Sequence, residues 1–338
     1  MENTSAAKKS ISPKMEPVGG QPAIRVTPDN FRRAESDMYF TTMAVTEDGF
    51  GKFRHRRELF SVDKQIVVRG NRDTIYSSGV FDLDAGPVTI TLPDAGKRFM
   101  SMMVLNEDQY AIAVYYSAGS YTITREEAGT RYAAIALRTL VDPLDTSDMD
   151  KVIALQDAVK VEQRNKGSFE VPDWDKASQK KVRDALLMLQ ETLTDFKNAF
   201  GPKDKVDPVK HLIGTAAGWG GNPDKDASYL GVTPEKNDGK TIYRLTVKDV
   251  PVDAFWSVSV YNKEGYFEKN EKAVYSLNNL TAKKDADGSI SIQFGGCDDN
   301  SVNCIPIMPG WNYTVRLYRP RPEILNGIWK FPEAVPVK

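Results

Sequence analysis

Ile75-Tyr-Ser-Ser-Gly-Val-Phe-Asp-Leu83, Val88-Thr-Ile-Thr-Leu92 and Arg131-Tyr-Ala-Ala-Ile-Ala-Leu-Arg-Thr139 decide the fold class. They are short runs read at period two, the spacing that sends alternate side chains to opposite faces of an extended chain. The same reading takes in Ile66-Val-Val68, Arg98 to Asn106, Gln109 to Tyr116 and Tyr121 to Thr124. Asp84-Ala-Gly-Pro87, Pro93-Asp-Ala-Gly96 and Ala118-Gly-Ser120 stand between them and supply the preset or positive φ that tight turns need. Strands in such close succession predict an antiparallel β-sandwich.

Toward the N-terminus, Thr27-Pro28 fits a cap followed by proline, and Phe31, Ala34 and Met38 recur at helical spacing. A second short helix is expected over Phe53 to Phe60. Beyond the strands the period lengthens: Val152, Leu155 and Val159 predict a helix within Met149 to Asn165. A longer helix after Pro172-Asp173 carries the stripe Val182, Leu186, Leu189, Leu193, Phe196 and Phe200, which Gly201-Pro202 ends. A polar, glycine-rich passage follows from His211 to Asp238. Period two then returns at Thr241 to Lys248, Ala254 to Asn262, Ser289 to Phe294 and Asn312 to Arg319, with Asp287-Gly288 as a hairpin turn. The expected organisation is a leader at 1–24, a β domain with short leading helices at 25–148, a helical insert and glycine-rich loop at 149–224, and a second β domain at 225–338.

With 338 residues the chain exceeds the size at which one core stops growing, which supports two domains. Lys and Arg total 45 against 46 Asp and Glu, so no global field draws the chain to nucleic acid. Its apolar runs, such as Met100 to Leu105, fall well short of a membrane span. Residues 1 to 20 are polar and lack the apolar core of a signal peptide, so they read as a flexible leader. Cys297 and Cys304 bracket a polar loop that can close as a disulfide contributing ~2.5 kcal/mol, two inert thiols being the alternative. A disulfide implies an oxidising compartment.

Arg69-Gly-Asn-Arg-Asp-Thr-Ile-Tyr-Ser77, Phe81-Asp-Leu83 and Gly86-Pro87 resemble the signature of the family called domain of unknown function 1254. Ala254-Phe-Trp-Ser-Val-Ser-Val-Tyr261, Asp287-Gly-Ser289, Arg316-Leu-Tyr-Arg-Pro320 and Gly327-Ile-Trp-Lys330 resemble domain of unknown function 1214. The resemblance spans roughly residues 25 to 335. It implies jelly-roll-like β domains in a bacterial, often exported, protein, and it implies no activity. A periplasmic or secreted location therefore requires that a signal peptide has been removed; the alternative is the cytoplasm.

Chemistry must then come from the residues. Asn71, Arg72, Asp73 and Tyr76 set a cation, a carboxylate and a phenol at the entry to a strand. Arg can clamp an anion in two-pronged fashion, Asp can accept from hydroxyls, and a Tyr beside Arg can move a proton if its pKa falls. The competing reading is a turn locked by its own hydrogen bonds. In the last strand Asn312, Thr314, Arg316 and Tyr318 share a face, and in Ala254 to Asn262 Ser257, Ser259 and Tyr261 oppose Trp256, Val258 and Val260. Arg316, Tyr318, Ser259 and Tyr261 would line a polar pocket, or else form the solvated face of a sheet. Trp219, among glycines, is either a stacking lid or a loop anchor.

Only His55 and His211 occur, too few for a histidine metal centre, and no metal site is expected. His55 reads as part of a solvated basic helix face, His211 as a loop or cap residue. No Gly-x-Ser-x-Gly, phosphate loop or dinucleotide fingerprint is present, so neither a serine hydrolase nor a cofactor is read here. The leading expectation is a bacterial envelope protein holding a small polar or carbohydrate-like ligand between two β domains. Its site would use Asn71, Arg72, Asp73, Tyr76, Trp219, Trp256, Tyr261, Arg316 and Tyr318. A rival is a metal-free hydrolase- or lyase-like enzyme in which Asp73 or Tyr76 moves a proton and Arg72 or Arg316 neutralises developing charge. A third reading is an assembly protein whose sheets self-associate into a homo-oligomer.

Overall fold

The computed structural model describes residues 22–65, 68–143 and 145–337. Residues 1–21 of the leader expected at 1–24, and Ile66 and Val67 of the strand expected at Ile66-Val-Val68, lie outside them. In the N-terminal half, β1 (Arg54–His55), β2 (Thr74–Asp82), β7 (Tyr132–Leu140), β4 (Met100–Asn106) and β5 (Ala111–Tyr115) form one sheet in that order. Strands β6 (Gly119–Ile123), β3 (Val88–Leu92) and β8 (Lys160–Glu162) form a second. The main ladder is antiparallel, running from Thr74 opposite Leu140 to Asp82 opposite Tyr132.

Alternation along these strands builds the core. Phe81, Met102, Ile135 and Leu137 from the larger sheet close on Val88, Ile90 and Leu92 from the smaller one. Each fully buried side chain of this size contributes about 1.5–3 kcal/mol before entropy is counted. The other face of the larger sheet carries Val80, Met103 and Ala134, which pack on Phe40, Ala44 and Trp219, and farther along it carries Tyr76 and Arg138.

The C-terminal half repeats the two-layer plan. One sheet runs β14 (Cys304–Ile305), β13 (Ile290–Phe294), β10 (Tyr243–Val247), β16 (Val335–Pro336); the other runs β12 (Ser276–Asn278), β11 (Trp256–Tyr261), β15 (Asn312–Tyr318), β9 (Ala227–Val232). The β13 and β14 pair is parallel. Leu245, Ile292 and Phe294 face Val258, Tyr313, Val315 and Leu317 across a core that also buries Trp311. Cys297 and Cys304 are joined by a disulfide.

The helices are α1 (Phe31–Thr41), leading into a π turn at Thr42–Thr46, α3 (Thr146–Asp157), α4 (Lys176–Gln190) and α5 (Pro208–Gly218), with short α2 (Arg125–Ala128) and α6 (Pro322–Leu325). Val26, Phe31, Ala34, Leu186 and Ile213 form the hub that joins α1, α4 and α5. The chain is thus mainly β with a helical insert, as the periodicity predicts.

Local details differ from expectation for physical reasons. Phe53 to Phe60 is not helical: Arg54 and His55 pair with Ser78 and Ser77 as an edge strand. Far from a solvated helix face, His55 is half-buried with its Nδ1 2.8 Å from Ser77 Oγ. Helix α4 stops at Gln190, where Thr192 turns its amide and hydroxyl back to Leu189 O at 3.0 and 2.7 Å. The passage at His211 is helical because Asp207 caps Val209 and Lys210 and Pro208 occupies the first turn. His211 itself is fully buried and stacked on Tyr110 at 4.4 Å. The expected boundary at 148 moves, since β8 pairs with β3 through Val161 opposite Ile90 and completes the N-terminal sandwich.

Candidate functional site

Period two decides which side chains of the β12-β11-β15-β9 sheet meet the N-terminal half. Trp256, Val258, Val260, Tyr313, Val315 and Leu317 enter the C-terminal core. The alternate residues, Ser257, Ser259 and Tyr261 on β11 with Thr314, Arg316 and Tyr318 on β15, form the opposite face. That face is polar yet buried, because the segment leading into β2 lies across it.

Arg316 is 3% exposed and commits both terminal nitrogens of its guanidinium to this seam. Nη1 donates to Ser259 Oγ at 2.9 Å, and Nη2 donates to Tyr261 Oη at 2.6 Å, Arg69 O at 2.8 Å and Gly70 O at 3.1 Å. The Tyr261 hydroxyl donates to Gly70 O at 2.6 Å. Arg69, at a left-handed φ of 52°, reaches Asn312 Oδ1 and Thr314 Oγ1 at 2.8 and 3.0 Å. Asp73 is fully buried; Ser257 Oγ donates to its Oδ2 at 2.5 Å, while Oδ1 has no hydrogen-bond partner among the described residues. Burial raises the Asp73 carboxyl above the usual range against the pull of Arg316, Ser257 and Asn278.

From this interior a chain of polar groups runs outward. Asn71 Nδ2 lies 2.9 Å from Tyr318 Oη and 3.2 Å from Tyr76 Oη. Arg138, opposite Tyr76 across β2 and β7, holds its guanidinium 5.3 Å from the Tyr76 ring centre. It donates to Asn222 Oδ1 at 3.3 Å and Gly220 O at 3.4 Å, and Asn222 donates to Tyr229 Oη at 2.9 Å. Taken as whole residues Asn71 and Tyr76 are half-buried and Tyr229 is 47% exposed, so the Tyr229 ring reaches solvent while the Tyr76 and Tyr229 hydroxyls stay enclosed.

The electrostatics separate the phenols. Burial pushes Tyr76 up, but the Arg138 charge and the hydrogen bonds from Thr74 and Asn71 outweigh it, and its pKa falls below the ordinary tyrosine value. Tyr318 moves well above that value through burial and the neighbouring Tyr229 and Tyr76. Tyr76 is therefore the phenol that ionises first, with a guanidinium beside it.

Asn71, Asp73, Tyr76, Tyr261, Arg316 and Tyr318 thus converge on one seam. Three other expected residues do not join them. Arg72 alternates away from Asp73, donates to Phe60 O and lies 5.2 Å from the Tyr275 ring centre. Trp256 belongs to the apolar face of β11 and packs on Phe331 at 5.4 Å. Trp219 is an anchor: its Nε1 donates to Ser36 Oγ at 3.0 Å and its ring stacks on Tyr39 at 4.5 Å. By that anchoring it fixes the loop whose Gly220 and Asn222 meet Arg138. Sequence reading missed Arg138, Asn222 and Tyr229. Arg138 had a signal, as a lone cation closing the apolar run Ala133 to Leu137 directly before a buried threonine.

Two surface cavities among the described residues are lined by other side chains than this network. One, of about 360 Å³, is bordered by Asn106, Asp108, Tyr110, Glu127 and Lys203; the other touches Phe99, Phe255 and Arg319. Among the described residues no cluster of three or more His, Cys, Asp or Glu is arranged to hold a metal ion, and no helix is long and apolar enough to cross a membrane.

The chain is similar over its full architecture to two solved structures. The VPA0106 protein from Vibrio parahaemolyticus shares 18% identity at a TM-score of 0.73, covering 92% of this chain and 98% of that one. A putative uncharacterized protein from Burkholderia cenocepacia shares 12% identity at a TM-score of 0.52, covering 92% and 88%. At these identities the likeness concerns the fold. No curated protein matches the chain. Family models match residues 50–163, Protein of unknown function (DUF1254), and residues 231–322, Protein of unknown function (DUF1214). Given both matches in this order, the chain belongs to the two-domain family that joins DUF1254 to DUF1214.

Proposed function

We propose that the protein binds a small hydroxyl- or carboxylate-bearing ligand where its two sandwiches meet, at the outer end of the polar chain formed by Asn71, Tyr76, Arg138, Asn222 and Tyr229. The observation that carries this reading is the Tyr76 and Arg138 pair: a guanidinium buried beside a phenol that it also hydrogen-bonds, with long bonds to the neutral oxygens of Asn222 and Gly220 and no ion pair among the described residues. Such a cation retains the capacity to clamp an anion or a polarised oxygen. Behind it the Asp73 and Arg316 seam holds the wall in place. The disulfide supports an oxidising location such as the periplasm.

The test is thermal-shift screening across sugars, organic acids and esters, followed by calorimetry. One ligand class raises the midpoint of the parent protein, and Arg138→Gln abolishes the shift. A shift that survives Arg138→Gln, or no shift with any class, refutes the reading. The lowered Tyr76 pKa favours a second reading, proton transfer by Tyr76. In that case Tyr76→Phe removes turnover while leaving affinity for the same ligand nearly intact; equal losses of both refute it.

A further inference from the structure

A separate pocket of about 220 Å³ opens where the start of β4 meets the start of β11. Its walls include Phe99, Met100, Tyr116, Leu140 and Phe255. Phe99 meets Phe255 edge to face at 5.3 Å and Tyr116 at 5.9 Å, so the rings pack into an aromatic wall, to which the half-buried Phe99 and Tyr116 give the accessible surface.

The charged groups around it differ in commitment. Arg98 is bound to Asp148 and to Leu140 O. Asp253 is held by Arg321 at 2.7 Å, which removes its charge from competition. Arg319 is free: its guanidinium has no ion-pair or hydrogen-bond partner among the described residues and rests 4.7 Å from the Tyr116 ring centre. Its backbone is locked at φ 52°, a left-handed conformation that L residues adopt rarely, by hydrogen bonds to Asp226 O and from Asp253 N, both 2.9 Å. Asp226, raised by burial against the pull of Lys225 and Arg319, accepts from Tyr116 Oη at 2.7 Å and makes no ion pair with Arg319. Lys97 adds a second cation to the lining.

We infer that this pocket binds a small aromatic carboxylate, its ring against Phe99 and Tyr116 and its carboxylate on Arg319. A guanidinium without an ion-pair partner beside an aromatic wall is the chemistry that recognises a planar anion. The pocket is distinct from the Tyr76 and Arg138 site. Tyr318 divides them, stacking its ring on Phe255 at 4.2 Å while its hydroxyl faces Asn71.

Calorimetry with benzoate, benzamide and acetate tests this directly. Benzoate is expected to saturate one site at least tenfold more tightly than either the neutral amide or the ringless acid. Arg319→Gln weakens benzoate at least tenfold, whereas Arg138→Gln changes it less than twofold. Absent benzoate binding, equal binding of benzamide, or an unchanged affinity in Arg319→Gln overturns the inference. If Arg319→Gln fails to fold, the comparison of the three probes on the parent protein decides alone.

Discussion

Replacing Arg316 by Met keeps the length of the side chain and removes its charge, and its consequences can be worked from the contacts. The guanidinium donates to Ser259, Tyr261 and the carbonyls of Arg69 and Gly70, and it is the cation that offsets buried Asp73. Loss of one partner of such a buried set costs about 3–5 kcal/mol, because the remaining charge and acceptors stay desolvated. Whole domains are stable by only about 5–15 kcal/mol, so the loss is a large share of the total. Urea unfolding reads it as a lower midpoint at unchanged slope. The second arm is the double variant: in the Arg316→Met background, Asp73→Asn is expected to restore at least about 1 kcal/mol, since the amide can still accept from Ser257 and brings no charge. A loss below about 1 kcal/mol for Arg316→Met, or strict additivity of the two changes, refutes the view that these residues form one electrostatic unit across the seam.

Burial pushes Asp37 up to about 7, with Trp174 Nε1 on its Oδ2 opposing the rise. A raised carboxyl means the folded chain binds more protons than the unfolded one, so stability falls between about pH 4 and pH 7, by up to about 1.4 kcal/mol per pH unit. Asp37→Asn flattens that decline in urea titrations repeated across pH; an identical slope in the variant counts against it. The Cys297→Ser, Cys304→Ser double variant loses about 2.5 kcal/mol through the freed loop, measured by denaturant unfolding, and equal stability with and without the bond contradicts this. Trp219→Ala removes the Ser36 bond and the Tyr39 stack, so hydrogen exchange at Gly220 to Asn222 accelerates while that of β13 stays unchanged; uniform exchange throughout refutes the anchor role.

Much of the architecture was legible because period two is a local property. Ile75 to Leu83, Val88 to Leu92 and Asn312 to Arg319 each match a strand to within a residue, and parity alone assigned Arg316, Tyr318, Ser259 and Tyr261 to one face. What parity leaves open is the partner of a face, so a polar sheet surface read equally as solvated or covered. The segment 69–73 settles that from more than 240 positions away in the chain, as in the Arg69 to Asn312 bond. Trp256 shows the same rule from the other side: its parity placed it with Val258, and grouping it with the pocket went against its own alternation. Strands of two or three residues, such as β12 and β14, carry too little pattern to be seen, and β9 shows its alternation only once β15 pairs with it. The helix at His211 was signalled by Asp207-Pro208 but masked by the glycines after it.

The seam also bears on how this chain came to be one polypeptide. Its buried carboxyl, Asp73, is encoded in the DUF1254 stretch, and Arg316, whose charge pulls against the rise of that carboxyl, in the DUF1214 stretch. A cut anywhere between residues 163 and 231 would part Asp73 from Ser257 and Arg316 from the carbonyls of Arg69 and Gly70, so the two named regions complete one another's buried polar groups, and inheriting one without the other would carry a standing folding penalty.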